Sequence, residues 1–351
     1  MELAPRGFRL TTAATAAVLL ILAAGLIAGF ILVVHFAAIH PGALAEVPSL
    51  GATIKLGATS RWLLGATIWA AALLMWSSVL QRLLPVDASD RTLSRGLWFD
   101  ALWYGGELAR QLTWMPLYFV GLVWIKRHLL GNLELIAPGA LPRATLLIAG
   151  ILAGDFLAYG SHIARHRFDF LWNFHAVHHS QKELNLFTQH RFHDLDTFVD
   201  LAIRTLPLML LTPGLVVFGV FNTVALIHFR LYHCPIRSNY GPLRYILVTP
   251  QSHRIHHASD PRLQNSNFGI FFSVWDHIFG TQHRAYDQYE IPLGLQDSMF
   301  PVEQDASMGG FAAVYAAQLV YPFVRLLRVT TSEPVRELQR SKAFEITKSG
   351  G

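Results

Sequence analysis

One cysteine, Cys234, stands in 351 residues, so the chain can form no internal disulfide and no cysteine-rich metal site. Charge is scarce too: 15% of residues are Asp, Glu, Lys or Arg, against about a quarter in a soluble domain. No Lys/Arg run exceeds a pair and the formal net charge is +5, which speaks against a nucleic-acid partner. No histidine is followed by glutamate, which removes the zinc hydrolases of the His-Glu-x-x-His kind. The Glu-x-x-His motif of soluble di-iron bundles is missing as well.

What remains is apolar. Hydrophobic residues make up 52% of the chain, and the mean hydropathy is +0.36. Leu10–Ile39 contains no Asp, Glu, Lys or Arg, and a membrane-spanning helix needs about 20 residues. A secretory signal would carry a shorter apolar run, of about 7–15 residues, so a retained helix is expected there. Further runs lie at Trp62–Leu84, at Leu112–Ile125 with a possible extension back through Leu97–Leu108, and at Ala144–Tyr159. Leu206–Ile227 is interrupted by Pro207 and Pro213 and reads as one kinked helix or a hairpin of two. Arg6, Arg9, Arg82, Arg91, Arg95, Arg165 and Arg167 flank these runs on one side, whereas Lys126, Arg127 and Arg143 fall on the other. The balance places that side in the cytoplasm. No internal repeat is present, and Thr330–Gly351 is a polar tail.

Histidine is the enriched residue. Of 17, 12 fall between His162 and His257. His162 and His166 are spaced i, i+4, while His175, His178 and His179 form His-x-x-His-His, a pattern repeated by His253, His256 and His257. On a helix such spacings bring side chains onto one face, with Cβ atoms about 5–6 Å apart. Lone histidines such as His35, His40 and His128 read as surface or hydrogen-bonded residues. Two triads and a pair are different: protonated they repel one another, and neutral they leave ring nitrogens without partners. Metal coordination resolves both problems. Neutral imidazole suits Zn, Cu, Fe or Ni. Eight ligands, with His233 as a ninth, exceed the three or four protein ligands of one zinc ion and imply two metals. Haem, held by one or two axial histidines, does not account for the adjacent pairs.

These residues resemble the fatty acid hydroxylase/sterol desaturase superfamily of membrane-bound, histidine-rich di-iron oxygenases. Asp155-x-x-x-Tyr159-x-x-His162-x-x-x-His166 is similar to its first histidine box and Trp172-x-x-His175-x-x-His178-His179-Ser180 to its second. Val248-Thr249-Pro250-x-x-His253-Arg254-x-His256-His257 is similar to the third. Asn267-Phe268-Gly269 and Trp275-Asp276-x-x-Phe279-Gly280-Thr281 look like its closing signature. Asn173 and His277 stand where many relatives carry a basic residue. The motifs extend over residues 110–285, leaving residues 1–95 as a possible N-terminal addition.

The resemblance implies an all-α, integral-membrane bundle of about four to six spanning helices, capped by a cytosolic, histidine-rich di-metal region. It divides the chain into N-terminal membrane helices (1–95), a catalytic domain (96–290) and a C-terminal helix with a polar tail (291–351). It implies two iron ions as cofactor, O2 as co-substrate, and a lipid (sterol, fatty acyl, sphingoid or similar) that is hydroxylated or desaturated. No electron-carrying segment is evident, so a separate redox partner of cytochrome b5, ferredoxin or reductase type is expected. The expected ligands are His162, His166, His175, His178, His179, His233, His253, His256 and His257. His193 and His228 are further candidates, although His228 points about 140° from His233 on an ideal helix. Asp155 lies two turns before His162 and is expected to orient a liganding imidazole, with Tyr159 a weaker candidate beside it. His190 and His283 read as structural. The alternatives are a histidine-rich metal transporter or metal-binding membrane protein, and a catalytically inactive homologue. A transporter would place its ligands near the bilayer midplane, whereas two of the three clusters here sit in polar stretches.

Overall fold

The computed structural model describes residues 74–86, 93–131, 142–208, 210, 225 and 227–329. The expected helix at Leu10–Ile39, most of Leu206–Ile227 and the tail after Val329 lie outside these residues. Among the described residues the fold is all-helical: no strand forms, and β-type pairing is limited to three isolated bridges, Pro85 with Ile236, Leu247 with Phe272 and Ala258 with Leu293.

Helix α1 (74–83) is the described end of the second apolar run. It packs through Leu80 and Leu84 onto Leu97, Leu186, Leu231, Cys234, Ile236 and Tyr240. Helix α2 (Arg95–Leu112) starts at Ser94, whose side chain accepts from the Leu97 N–H. It stops at Thr113, where both the backbone N–H and Oγ1 turn back onto the Ala109 carbonyl. The apolar run at Leu112–Ile125 therefore forms a separate helix, α3 (Trp114–Ile125), and does not extend back through Leu97–Leu108. A π-helical turn, Lys126–Leu130, ends it at Gly131.

Helix α4 (Arg143–Arg167) has 25 residues, about 37 Å of helix, and outlasts its apolar segment by two turns. Those extra turns carry His162 and His166 beyond it. One non-helical residue, Phe168, separates it from α5 (Asp169–His179), which folds back beside it. Helix α6 (Asp194–Leu208) opens with Asp194 and Asp196 in its first turn, where the helix dipole favours carboxylates. Leu201 and Leu208 of α6 pack against Ala153 and Leu157 of α4 and Met115 and Tyr118 of α3.

The remaining elements are short. Helix α7 (227–233) carries His228 and His233. Helix α8 (Pro250–His256) is started by a reciprocal cap between Thr249 and Ser252 with Pro250 in its first turn. Helix α9 (Pro261–Gln264) is a single turn, and α10 (Val274–Phe279) ends at Gly280, φ 72°. Helix α11 (Phe311–Val329) closes the described chain. It returns to the site's underside: Phe311 joins Phe99, Trp103, Val177 and Phe300 in one buried cluster.

One stretch among the described residues, Met308–Leu327, is long and apolar enough to cross a membrane, with a mean hydropathy of 1.3. It is not among the apolar runs singled out in the sequence. Large apolar side chains also stand exposed on α3 (Leu117, Val120, Trp124), α4 (Ile148, Leu152, Phe156) and α11 (Val320, Phe323, Val324, Leu327).

Candidate metal centre

Helices α4, α5, α7 and α8 aim their histidines into one buried volume, where the nine expected ligands form two groups. His162, His166, His175, His179 and His256 make the first; His178, His233, His253 and His257 make the second. Within each group one nitrogen per ring lies within 4.8 Å of every other. The His-x-x-His-His spacing explains the partition. On α5, His175 and His179 are one turn apart and face the first group, while His178 faces the second. On α8 and at its C-terminal cap, His253 and His257 point to the second group and His256 to the first.

Hydrogen bonds fix the tautomers of five rings. Nδ1 donates to the carbonyl of Phe268 from His162 at 2.9 Å, of Arg191 from His178 at 3.2 Å, of Phe229 from His233 at 2.7 Å and of Ser266 from His256 at 2.8 Å. His175 Nδ1 donates to Asp196 Oδ2 at 3.0 Å. A carbonyl only accepts, so each Nδ1 carries the hydrogen and each Nε2 presents a lone pair to the centre.

Burial keeps these rings neutral. It pushes His233 and His256 down to about 3. It holds His178, His179, His253 and His257 well below the usual histidine value, with neighbouring imidazoles adding to the effect. The Nε2 atoms of His166, His175, His179 and His256 are buried with no hydrogen-bond partner. In the second group, His233 Nε2 lies 3.3 Å from His178 Nε2 and 2.9 Å from His253 Nε2, which lies 3.0 Å from His257 Nε2. His178 and His233 thus face each other lone pair to lone pair, an arrangement that a shared cation stabilises. The donor set fits two late first-row metal ions of the kind that imidazole binds.

Aromatic rings wall the histidines. Phe192 stacks on His178 at 4.1 Å, Trp172 lies against His166 and His179, and Phe268 borders His162, His166 and His256.

The closing signature is a clamp on this wall. Asp276 accepts from the backbone N–H groups of Phe268 (2.8 Å) and Gly269 (2.7 Å) and from Thr281 Oγ1 (2.6 Å). Asn267, at φ 57°, donates to the Ser252 carbonyl and accepts from Gln282 and the His283 N–H. Asp155 does not bond to an imidazole, as the sequence suggested. Its carboxylate accepts from the backbone of Phe271 (2.9 Å) and Phe272 (3.1 Å) and from Trp275 Nε1 (2.8 Å), so it reaches His162 only through the loop bearing Phe268. The two-turn offset does place it on the face of His162, but the loop after Phe268 lies nearer. Tyr159 donates to Thr281 at 2.9 Å and stacks on Phe279, bracing the same clamp.

His193 and His228 join neither group. His193 Nδ1 accepts from the Leu195 N–H, capping the start of α6, and its Nε2 contacts the Leu319 carbonyl at 3.0 Å. His228 packs against Tyr232, Tyr240 and Phe271, on a different side of α7 from His233. His190 pairs with Glu107 and Arg230.

Two buried features gave no local signal in the sequence. Asp196, paired with His175, also meets Arg165 at 3.5 Å. Arg191, wholly buried, bonds Asp100 of α2 at 2.6 Å, Glu303 at 3.1 and 3.2 Å and Ser180 at 3.2 Å. Its own carbonyl is the acceptor for His178, so this clamp sets one edge of the second group.

Residues 147–281 match the family model described as fatty acid hydroxylase. The ornithine lipid hydroxylase of Rhizobium tropici is 32% identical over 54% of this chain and 53% of its own length. The human alkylglycerol monooxygenase is 32% identical over 38% of this chain and 29% of its own. A very-long-chain aldehyde decarbonylase of Oryza sativa is 28% identical over 46% and 27%. The matched stretches thus span about half or less of these relatives. No solved structure matches the chain significantly. The matched segment contains His162, His166, both His-x-x-His-His triads, His233 and Asp276, and it is through this segment that the chain is similar to the fatty acid hydroxylases.

Proposed function

We propose that the protein is a membrane-bound, O2-dependent oxidoreductase that hydroxylates or desaturates a lipid at a pair of iron ions held by the two histidine groups. The convergence of nine histidines, eight of them buried, in sets of five and four carries this reading. Iron held by these imidazoles would supply the O2 chemistry and the oxidant that an alkyl C–H bond requires, which side chains alone do not. The protein's own contribution is to orient and to dry the site. Backbone carbonyls fix the rings, and Phe192, Phe268 and Trp172 exclude water around them.

The relatives' names, ornithine lipid hydroxylase and alkylglycerol monooxygenase, support a lipid as the substrate class. The exposed apolar faces of α3, α4 and α11 support a bilayer setting, since contiguous exposed apolar surface marks a membrane or protein partner. In this reading the chain is multi-pass with the metal pair on the cytoplasmic side, and a separate cytochrome b5-, ferredoxin- or reductase-type protein delivers electrons.

The test is metal analysis of protein purified anaerobically in mild detergent, followed by reduction and exposure to O2 with a lipid extract. Two irons per chain and an O2-derived oxygen atom or a new double bond in a lipid support the proposal. Stoichiometric zinc that iron does not replace, or no metal, overturns it in favour of a transporter or an inactive homologue.

A further inference from the structure

The two groups are not equivalent, and the difference is one carboxylate. His162, His178, His233 and His256 each give Nδ1–H to a neutral backbone carbonyl, whereas His175 gives it to Asp196. Asp196 is 2% exposed. Its Oδ2 takes both the His175 hydrogen bond and the 3.5 Å contact from Arg165, while its Oδ1 is buried with no partner. Phe170, Leu171, Phe174, Leu195 and Val199 line a small cleft over it, so little solvent screens the pair. The negative charge therefore acts mainly through the imidazole, raising the basicity of its Nε2.

Arg165 offsets that charge only in part: its Nη1 lies 3.5 Å from Asp196 Oδ2 and 3.4 Å from His175 Nδ1. Its Nη2 pairs with Asp200 at 3.2 Å, and Asp200 also accepts from Ser161 and binds Arg204 at 2.7 Å. Arg165 therefore divides its charge between Asp196 and Asp200, and His175 Nδ1, at 3.0 Å, is the closer partner of Asp196.

We infer that Asp196 is a positioning residue that makes the five-histidine group the tighter of the two metal positions, leaving the four-histidine group as the position that loads last and exchanges first. The inference rests on the proposed metal pair and adds an order of occupancy to it. A carboxylate behind a liganding histidine is worth about ten- to hundredfold in metal affinity.

The experiment titrates metal-free full-length protein in detergent with Co(II) under argon, following the ligand-field absorption and using a competing chelator to set the scale. The wild-type protein is expected to bind two ions in separable steps. Asp196→Asn keeps an acceptor for His175 but removes the charge, and is expected to weaken the tighter step about ten- to hundredfold and leave the second step in place. Asp196→Glu restores part of the loss. Asp200→Asn controls for folding: it disturbs the same arginines without touching His175, and both steps are expected to persist. The inference is overturned if Asp196→Asn binds as wild type, if it weakens both steps alike, or if Asp200→Asn matches it. Failure of the wild-type protein to take up any Co(II) removes the metal pair itself, and is distinguished by occurring before any variant is compared.

Discussion

The Nδ1–H of His162 donates to the Phe268 carbonyl at 2.9 Å, joining the first histidine pair to a loop 106 residues later. That loop is held from two directions: Asp276 grips the N–H groups of Phe268 and Gly269, and Asp155 grips those of Phe271 and Phe272. The position of one imidazole thus depends on two carboxylates that never touch it.

Gly269 has no room for a side chain. A Cβ there would stand 2.8 Å from both Asp276 Oδ2 and the Phe272 carbonyl oxygen and 2.9 Å from Val248 Cγ2. Gly269→Ala is expected to destabilise by about 1–3 kcal/mol and to lower bound metal per chain, read by thermal unfolding and metal analysis of the same sample. A variant with wild-type unfolding and full metal would show that the clamp is soft.

Asp155 and Tyr159 should differ in weight. Asp155→Ala strands three part-buried donors, each worth up to about 1–3 kcal/mol when left unmade, and should prevent full metal loading. Tyr159→Phe removes one hydrogen bond that Thr281 survives through Asp276, at a cost of about 1 kcal/mol. Equal unfolding midpoints for the two variants would contradict this.

Arg191→Met leaves Asp100 and Glu303 facing each other in the interior. Removing one partner of a buried ion pair costs about 3–5 kcal/mol, so little folded protein is expected on size exclusion in detergent. Adding Asp100→Asn and Glu303→Gln should recover part of the yield, because the stranded charges go too. No recovery in the triple variant would mean that the arginine acts by shape rather than by charge.

Acid should unfold the metal-free protein early. His233 and His256 are held near 3 in the folded state, against about 6.5 when unfolded. Below pH 6.5 the unfolded chain takes up protons that the folded chain refuses. Stability is therefore fully present above that value and falls as pH drops toward 3, by about 1.4 kcal/mol per pH unit for each such histidine. Unfolding midpoints measured from pH 8 to pH 5 should be flat at first and then fall steeply. A midpoint unchanged at pH 5 would show that the rings are not buried neutral.

Variants of the outlying histidines separate ligands from neighbours. Under the proposed function, His256→Ala should abolish lipid oxidation without loss of membrane insertion, and retained turnover would remove His256 from the site. His193→Ala and His228→Ala should keep the wild-type metal content, since both rings lie outside the two groups.

Most of the histidine grouping was legible because it obeys local spacing. Intervals of one, three and four residues place imidazoles on defined faces of α4, α5 and α8, and the packing of those helices with α7 brings the faces together. The supports were less legible because they are long-range. Asp196 lies 21 residues after His175, Asp100 lies 91 before Arg191 and Glu303 lies 112 after it, and no periodicity relates them. Asp155 was found but matched to the wrong partner: helical spacing gives the face of a residue, and the loop that arrives on that face comes from elsewhere. The break at Thr113 was missed because hydropathy does not register a backbone N–H and a hydroxyl both turned onto the preceding helical turn.

The Arg191 clamp also sets a timetable for assembly. His178 is positioned by the Arg191 carbonyl, and Arg191 is neutralised partly by Glu303, a residue made long after the last histidine of the centre. During synthesis the chain therefore holds every ligand before it holds the acid that steadies one of them. The Arg191 clamp is therefore complete only once Glu303 has joined it, after all nine histidines are in place.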